Sequence, residues 1–302
     1  MPLKTVHRNA SVGLAAMLIA TAAFAQSPAS PCALSANGIP QRSAQARGAG
    51  EFVDAVAGMT EVERDLAIRH ELMAGNVPSF LRHLQPVTLS TKSAGGEPVR
   101  LTLCVLSDYL SLGDDADFLL VPMSLDTALS VATGLGFTLP TRRMVDIIYR
   151  QSTVHLTPQP LPAGDRMRST DYYVRHNAMV QQQRSAAGAA PGALTAGHKK
   201  DLVLSARLWR EPGRVAIYGW HRSVDAPIQP LSTVHGASYA DYSHGVRLVS
   251  EVVFVNDEPR SIFDLLGDAV LAPLLSDEGP LPQAAKLRAA MSSASLGWHA
   301  TR

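Results

Sequence analysis

The sequence lacks an excess of charge of either sign. Lysine and arginine together number 27 and aspartate and glutamate 26 among 302 residues, so the formal net charge is +1. A chain without a basic surplus has no general electrostatic attraction for nucleic acid or anionic lipid, and we expect neither as a partner. The hydrophobic fraction of 46 % suffices for a sizeable core, which excludes a collagen or low-complexity chain.

Long apolar runs are scarce, and the clearest one lies near the N-terminus at residues 10–24. Lys4, His7 and Arg8 precede this run, and Ala23-Phe24-Ala25 ends it. A basic start, an apolar stretch and a small-x-small end are typical of a secretory signal peptide. The run is shorter than the roughly 20 residues of a membrane span. We therefore expect cleavage after Ala25, a secreted or periplasmic destination and no membrane anchor.

Cysteine is scarce as well, with Cys32 and Cys104 as the two examples in the chain. Thiols tend to pair in an oxidising compartment, so the sequence predicts a disulfide bond between the N-terminal segment and a strand. The alternative is a nucleophilic Cys104. Residues 102–106 are typical of a buried strand, however, and not of the helix start where thiolates are activated.

Composition divides the chain into four predicted segments. Residues 1–25 form the signal peptide, and residues 26–50, rich in Ala, Ser, Pro and Gly, form a flexible tether. Residues 51–285 form a single domain, and residues 286–302 form a loose C-terminal tail. The alternative is a helical domain joined to a β domain by the Ala/Gly-rich stretch 185–196.

The predicted fold class is α+β. Thr60, Ser124 and Thr141 each precede an apolar periodic stretch in the way that helix N-caps do. A strand is predicted near residues 99–106, and aliphatic runs at 202–208, 215–220 and 246–255 predict further strands. We therefore expect a helical N-terminal half packed with a mainly antiparallel β-sheet in the C-terminal half.

Histidine is concentrated in one window of the second half. His198, His221, His235 and His244 each lie at a strand end or in a turn that contains glycine. Reactive groups are commonly held on loops by a rigid sheet, so this window is the predicted functional site.

The segment Asp241-Tyr242-Ser243-His244-Gly245-Val246-Arg247 resembles the catalytic segment of the L,D-transpeptidases, in which a Ser-His-Gly-Cys-x-Arg run supplies the nucleophile. The upstream His235-Gly236 is similar to a His-Gly of the same family. The resemblance implies a secreted cell-wall enzyme with an arginine near the substrate carboxylate. Val246 stands where the cysteine would be, so transpeptidation through a thioester is excluded.

Without a thiol, the same residues suggest hydrolysis. A hydrolase needs a base, a group that orients the base and a cation or donor for developing negative charge. The predicted catalytic residues are His244 or His235 as base, Asp241 as the orienting carboxylate, and Ser243 as a nucleophile if an imidazole reaches it. The predicted substrate-binding residues are Arg247, His198, Lys199, Trp220, His221 and Tyr242.

The preferred functional hypothesis is an exported hydrolase that acts on a peptide or amide bond of a cell-wall polymer such as peptidoglycan. The alternative is a non-catalytic cell-wall or glycan-binding protein that has lost its nucleophile. No cofactor is required for either function. A zinc site is a further alternative, with donors from His198, His221, His235, Asp241 and His244, although their spacing matches no helical His-x-x-x-His pair.

Overall fold

The computed structural model describes residues 1–2, 31–33, 38–92 and 96–289. Residues 3–25 of the predicted signal peptide, part of the predicted tether and residues 290–302 of the predicted tail lie outside the described residues. Within the described part, helices and mainly antiparallel sheets occur together, so the fold is of the mixed α+β class.

Side-chain caps start the three helices that the sequence predicts most clearly. The hydroxyls of Thr60, Ser124 and Thr141 accept hydrogen bonds from backbone N–H groups three residues later. Such caps satisfy donors that the first turn leaves unpaired. The helices are α1 (Ala49–Ala55), α2 (Glu61–Met73), α3 (Leu125–Gly134), α4 (Arg142–Gln151), α5 (Thr170–Ala186), α6 (Arg207–Arg210), α7 (Ile262–Gly267) and α8 (Ala272–Leu275). Short 3-10 turns lie at Pro31–Ala33, Ser79–Arg82 and Asp165–Arg168, and residues 283–289 are also helical.

The strands form two larger sheets and two short pairs. They are β1 (Gln85–Lys92), β2 (Pro98–Val105), β3 (Ser111–Gly113), β4 (Phe118–Leu120), β5 (Phe137–Thr138), β6 (Val154–His155), β7 (Thr195–Ala196), β8 (Lys200–Leu202), β9 (Ile217–His221), β10 (Pro227–Ser232), β11 (His244–Gly245), β12 (Val249–Ser250), β13 (Val252–Val255) and β14 (Glu258–Ser261). The six-stranded sheet has the order β14-β13-β2-β12-β5, with β1 also paired to β2. The four-stranded sheet has the order β10-β9-β8-β11 and contains Trp220, His221 and His244 of the predicted site residues.

The predicted segregation of helices and strands into two halves is wrong. The six-stranded sheet draws β1 and β2 from the first half and β12, β13 and β14 from the second, while α5 to α8 also lie beyond residue 169. Strand β2 is the physical reason. The last five of its eight residues are buried, and the strand pairs antiparallel with β1, β12 and β13. A strand buried at the centre of a sheet needs partners on both edges, wherever they occur in the sequence.

The predicted disulfide bond is confirmed. Cys32 and Cys104 are joined across a sequence separation of 72 residues, which fastens the turn Pro31–Ala33 to β2. Over the described ranges, we find no helix that combines the length and the apolar character needed to cross a bilayer.

Candidate functional site

Two short parallel strands bring one part of the predicted site together. His244 of β11 lies opposite Lys200 of β8, and the Lys200 N–H donates to the carbonyl oxygen of Ser243 at 2.7 Å. The strands approach closely because residue 245 is glycine. A Cβ at Gly245 would lie 2.7 Å from both Lys199 Cβ and Tyr109 Cδ1, closer than real Cβ contacts allow.

Asp241 is the centre of the loop that precedes β11. The backbone N–H and the hydroxyl of Ser243 both donate to Asp241 Oδ1, at 2.7 and 2.5 Å, and the Tyr239 hydroxyl donates to Oδ2 at 3.3 Å. Burial raises the pKa of Asp241, but the neighbouring His244 and Lys200 and the Ser243 hydrogen bonds leave it below its ordinary value. The carboxyl is therefore ionised at neutral pH. The Ser243 hydroxyl points to a carboxylate and not to an imidazole.

His244 lies beside this carboxylate, fully buried. Its Nε2 is 3.8 Å from Asp241 Oδ2, which exceeds hydrogen-bond distance, and neither ring nitrogen has a hydrogen-bond partner. Burial lowers the pKa of His244 to about 4, although the Asp241 charge opposes this shift. The imidazole is therefore neutral at pH 7, with a lone pair available for a proton.

Lys199 lies among three buried imidazoles. Its Nζ donates to the Tyr242 carbonyl oxygen at 2.6 Å, and burial lowers its pKa to about 7 against the attraction of Asp241. Burial, and to a smaller extent the charge of Lys199, lower the pKa of His176 to about 2. The same charge contributes to the lowered pKa values of His198 and His244. The ring nitrogens of His176 and His244 have no hydrogen-bond partner in the described structure.

His198 belongs to a deeper charged group. Its Nε2 lies 3.2 Å from Asp108 Oδ1, its ring makes an edge contact with Tyr109, and the second oxygen of Asp108 pairs with Arg184. Burial, followed by the charge of Arg184, holds the pKa of His198 well below its usual range.

Arg247 is directed into the core. Its guanidinium donates to the carbonyl oxygens of Leu106 and Thr195 and lies 4.5 Å above the Tyr109 ring. The Tyr109 hydroxyl donates in turn to Asp201 Oδ2 at 2.8 Å. Burial raises the pKa of Asp201 to about 6, although Arg247 and Tyr109 oppose the shift. In this geometry Arg247 holds backbone segments together. The predicted contact between Arg247 and a substrate carboxylate stays a prediction.

His221 lies in a separate group on β9. Its Nε2 is 3.0 Å from Asp146 Oδ1, and the Tyr218 hydroxyl donates to the same oxygen at 2.8 Å. Residues three apart on a regular strand face opposite sides, but Gly219 and Trp220 have φ angles of 107° and 56°. This left-handed pair turns Tyr218 and His221 to the same side. The same turn places the Trp220 ring beneath the Lys200 ammonium, with Lys200 Nζ 5.0 Å from the centre of the ring.

His235 lies closer to the surface and is linked by ring contacts to the buried residues Asp241 and His244. The His235 ring stacks on Tyr239 with centroids 3.9 Å apart, and the Tyr239 ring makes an edge contact with His244 at 5.7 Å. Both His235 and Tyr239 are partly exposed. One chain of contacts from the partly exposed surface to Asp241 and His244 therefore runs through Tyr239.

The structure thus distributes the predicted residues over neighbouring groups. His244, Asp241, Ser243 and Lys199 lie together, with His235 reaching them through Tyr239. The His198 and His221 imidazoles share no hydrogen-bond, ion-pair or ring partner with His244 among the described residues.

Sequence reasoning missed several members of these groups. They are Asp108, Tyr109, Asp146, His176, Arg184 and Asp201. One signal was available for α5, because Tyr172, His176, Val180 and Arg184 recur at four-residue spacing and are all buried. That stripe was not recognised because two of its members are polar.

The zinc alternative receives no support from the donor geometry. In the described part of the chain, no three His, Cys, Asp or Glu side chains converge as a ligand set. Zinc needs at least three such donors, and the His198, His221 and His244 imidazoles each have different neighbours.

The geometry is compatible with proton transfer. A neutral imidazole beside an ionised carboxylate, with an amine of pKa near 7 nearby, provides a base, an orienting group and a cation. Comparison with known proteins adds no family: no protein-family model, curated protein or solved structure matches this chain.

Proposed function

We propose that the chain is an exported hydrolase that cleaves a peptide or amide bond of a cell-wall polymer such as peptidoglycan. The observation that carries the proposal is the fully buried pair of Asp241 and His244, in which the imidazole is neutral and lacks a hydrogen-bond partner. Strongly shifted pKa values with a specific charged neighbour are characteristic of catalytic groups.

His244 acts as the base in this proposal. It takes a proton from a water molecule while the water oxygen attacks the carbonyl carbon, and the Asp241 carboxylate stabilises the imidazolium that forms. The proton then passes to the leaving nitrogen as the C–N bond breaks. The products are a carboxylate and an ammonium group, the acid proton of the new carboxyl having passed to the amine.

Water is favoured over Ser243 as the nucleophile. The Ser243 hydroxyl donates to Asp241 Oδ1 at 2.5 Å, so its proton is not directed to His244. Lys199, with a pKa of about 7, supplies positive charge close to the developing oxyanion. Substrate reaches the pair by displacement of Tyr239, whose ring contacts His244.

Export is supported by the disulfide bond between Cys32 and Cys104, since such bonds persist in oxidising compartments. The resemblance of residues 241–247 to the L,D-transpeptidase segment supports a cell-wall substrate. With Val246 fully buried at the position of the family cysteine, the proposed reaction is hydrolysis and not transpeptidation.

The second candidate is a non-catalytic cell-wall or glycan-binding protein. One observation favours it: Asp241, Ser243, His244 and Lys199 are all at most 1 % exposed. A catalytic group that substrate never reaches is inert.

Incubation with purified peptidoglycan separates the two candidates. The hydrolase releases soluble fragments that mass spectrometry identifies by a new carboxyl and a new amino terminus, and the heat-denatured protein releases none. Sedimentation of the protein with peptidoglycan, without any released fragment, would favour the binding protein.

A further inference from the structure

A surface groove adjoins the loop that carries Asp241. It has a volume of about 450 Å³ and lies between α2, the start of α3 and residues 238–240. Its lining includes Val62, Leu66, Ser124, Tyr173, Ser238 and Ala240. Ligand sites commonly have volumes of about 300–1,000 Å³, so the groove has room for a short segment of a polymer.

One wall of the groove is apolar and uncovered. Val62 and Leu66 are 68 % and 56 % exposed, although both are aliphatic. Because they are four residues apart on α2, they lie on the same face of the helix. An aliphatic side chain placed between them would bury apolar surface.

A second part of the wall, formed by Ser238 and Ala240, contains unpaired backbone groups. Neither the N–H nor the carbonyl of Ser238 bonds to any described residue, and the Ala240 N–H is equally unpaired. The Ala240 carbonyl accepts from the Tyr173 hydroxyl at 2.8 Å, which holds this wall in position. Backbone groups beside a side-chain pocket are the means by which many proteins bind extended peptides.

The charged side chains around the groove are largely taken up by the protein. Arg64 donates to Thr170 and to the Arg168 carbonyl, and Asp65 accepts from Ser124 and Thr127. Asp126 at the start of α3 also lines the groove and is exposed, so an anionic occupant is disfavoured. The pairings leave the apolar wall and the backbone as the main recognition elements, which favours an uncharged occupant.

Side-chain contacts connect the groove with the proposed reaction centre. Glu61, at its edge, accepts from Arg168 at 2.9 Å, and the Arg168 guanidinium lies 5.7 Å from the centre of the Tyr239 ring. Tyr239 donates to Asp241. A chain bound in the groove therefore lies next to the residue that covers Asp241 and His244.

We propose that this groove binds an uncharged, extended peptide segment of the substrate, with an aliphatic side chain between Val62 and Leu66 and its backbone against Ser238 and Ala240. The assignment of this peptide as substrate rests on the proposed hydrolase function. The binding itself is independent of turnover and can be measured without it.

Photo-crosslinking with acetyl-Ala-photoleucine-Ala-Ala-amide tests the proposal, with the labelled residues mapped by mass spectrometry. We expect labels within residues 61–66 and 238–240. Leu66→Glu and Val62→Glu each place a charge in the apolar wall and should reduce labelling at least about tenfold. Val270→Glu, at another exposed aliphatic residue outside the groove, should label like the wild type.

The possible results distinguish peptide binding in the groove from the proposed hydrolytic reaction. His244→Asn should label like the wild type, because His244 does not line the groove. Labels elsewhere, undiminished labelling of both glutamate variants in their folded state, or competition by N-acetylchitotriose would overturn the peptide groove. Labelling in the groove without any cleavage of peptidoglycan would support the groove and contradict the hydrolase.

Discussion

At the residue scale, the main feature is the set of three buried imidazoles around Lys199. Leaving a buried polar group without a partner costs about 1–3 kcal/mol, and the ring nitrogens of His176 and His244 lack one in the described structure. Hydrophobic residues of similar size would be more stable at these positions. This cost is in keeping with the proposed catalytic use of His244.

Acid should destabilise the protein through these histidines. Their pKa values lie below the unfolded value of about 6.5, so the unfolded chain binds more protons and the free energy of unfolding falls as pH drops below 6.5. Where the unfolded chain binds three more protons than the folded chain, the free energy of unfolding falls by about 4 kcal/mol per pH unit. Asp201 acts in the opposite direction, because its pKa is raised to about 6 and the folded chain takes up its proton first as pH falls toward 4. This uptake offsets the effect of about one histidine proton.

Thermal unfolding between pH 7 and pH 5 measures this effect. We expect a marked decrease in Tm for the wild type and a smaller decrease for His176→Phe, which fills similar space beside Tyr242 without binding a proton. An unchanged wild-type Tm over this range would show that the buried histidines do not titrate as described.

The roles of Ser243 and Asp241 can be separated by substitution. With water as the nucleophile, Ser243→Ala should retain peptidoglycan cleavage within about tenfold, while Asp241→Asn should lose about 100-fold or more because the imidazolium is no longer stabilised. The rates of fragment release give the comparison. Complete loss in Ser243→Ala, with an unchanged Tm, would identify the serine as the nucleophile.

At the element scale, the contact between β8 and β11 depends on Gly245. A methyl group there would collide with Lys199 Cβ and Tyr109 Cδ1, both 2.7 Å away. We expect Gly245→Ala to lower the free energy of unfolding by about 1–3 kcal/mol. Gly267→Ala is the matched control, because the nearest atom lies 3.9 Å from its Cβ position. Chemical denaturation of both variants checks this, and equal stability would contradict the close approach.

Local signals predicted some elements well and others not at all. The caps at Thr60, Ser124 and Thr141 located three helix starts, because a cap depends on neighbours within one turn. Strand β1 was missed because seven of its eight residues are exposed or only partly buried, and its structure comes from pairing with β2. Long-range pairing leaves little trace in a local pattern.

The candidate site was predicted in part for the same reason. The loop from Asp241 to His244 is short, so the proximity of a carboxylate and an imidazole could be anticipated from the sequence. The parallel pairing of β8 with β11 and the position of α5 bring Lys199 and His176 into the group, and these contacts are long-range. The turn at Gly219 and Trp220, which directs His221 to Asp146, likewise depends on tertiary structure.

At the scale of the whole molecule, the disulfide bond fastens the N-terminal segment to the central sheet. Closing a loop of this length restricts the unfolded chain and contributes about 4 kcal/mol. Replacing both Cys32 and Cys104 by Ala should lower the free energy of unfolding by about that amount, measured by denaturant unfolding. Unchanged stability, or two titratable thiols in the purified exported protein, would contradict this contribution.

The proposed function depends on a reaction centre formed by Asp241 and His244. The most direct test compares peptidoglycan cleavage by the wild type, His244→Asn and His83→Asn, since His83 is an exposed histidine outside the candidate site. We predict that His244→Asn loses at least about 100-fold in rate while keeping its Tm within a few degrees, and that His83→Asn cleaves like the wild type. Fragment release by folded His244→Asn at the wild-type rate would contradict the account.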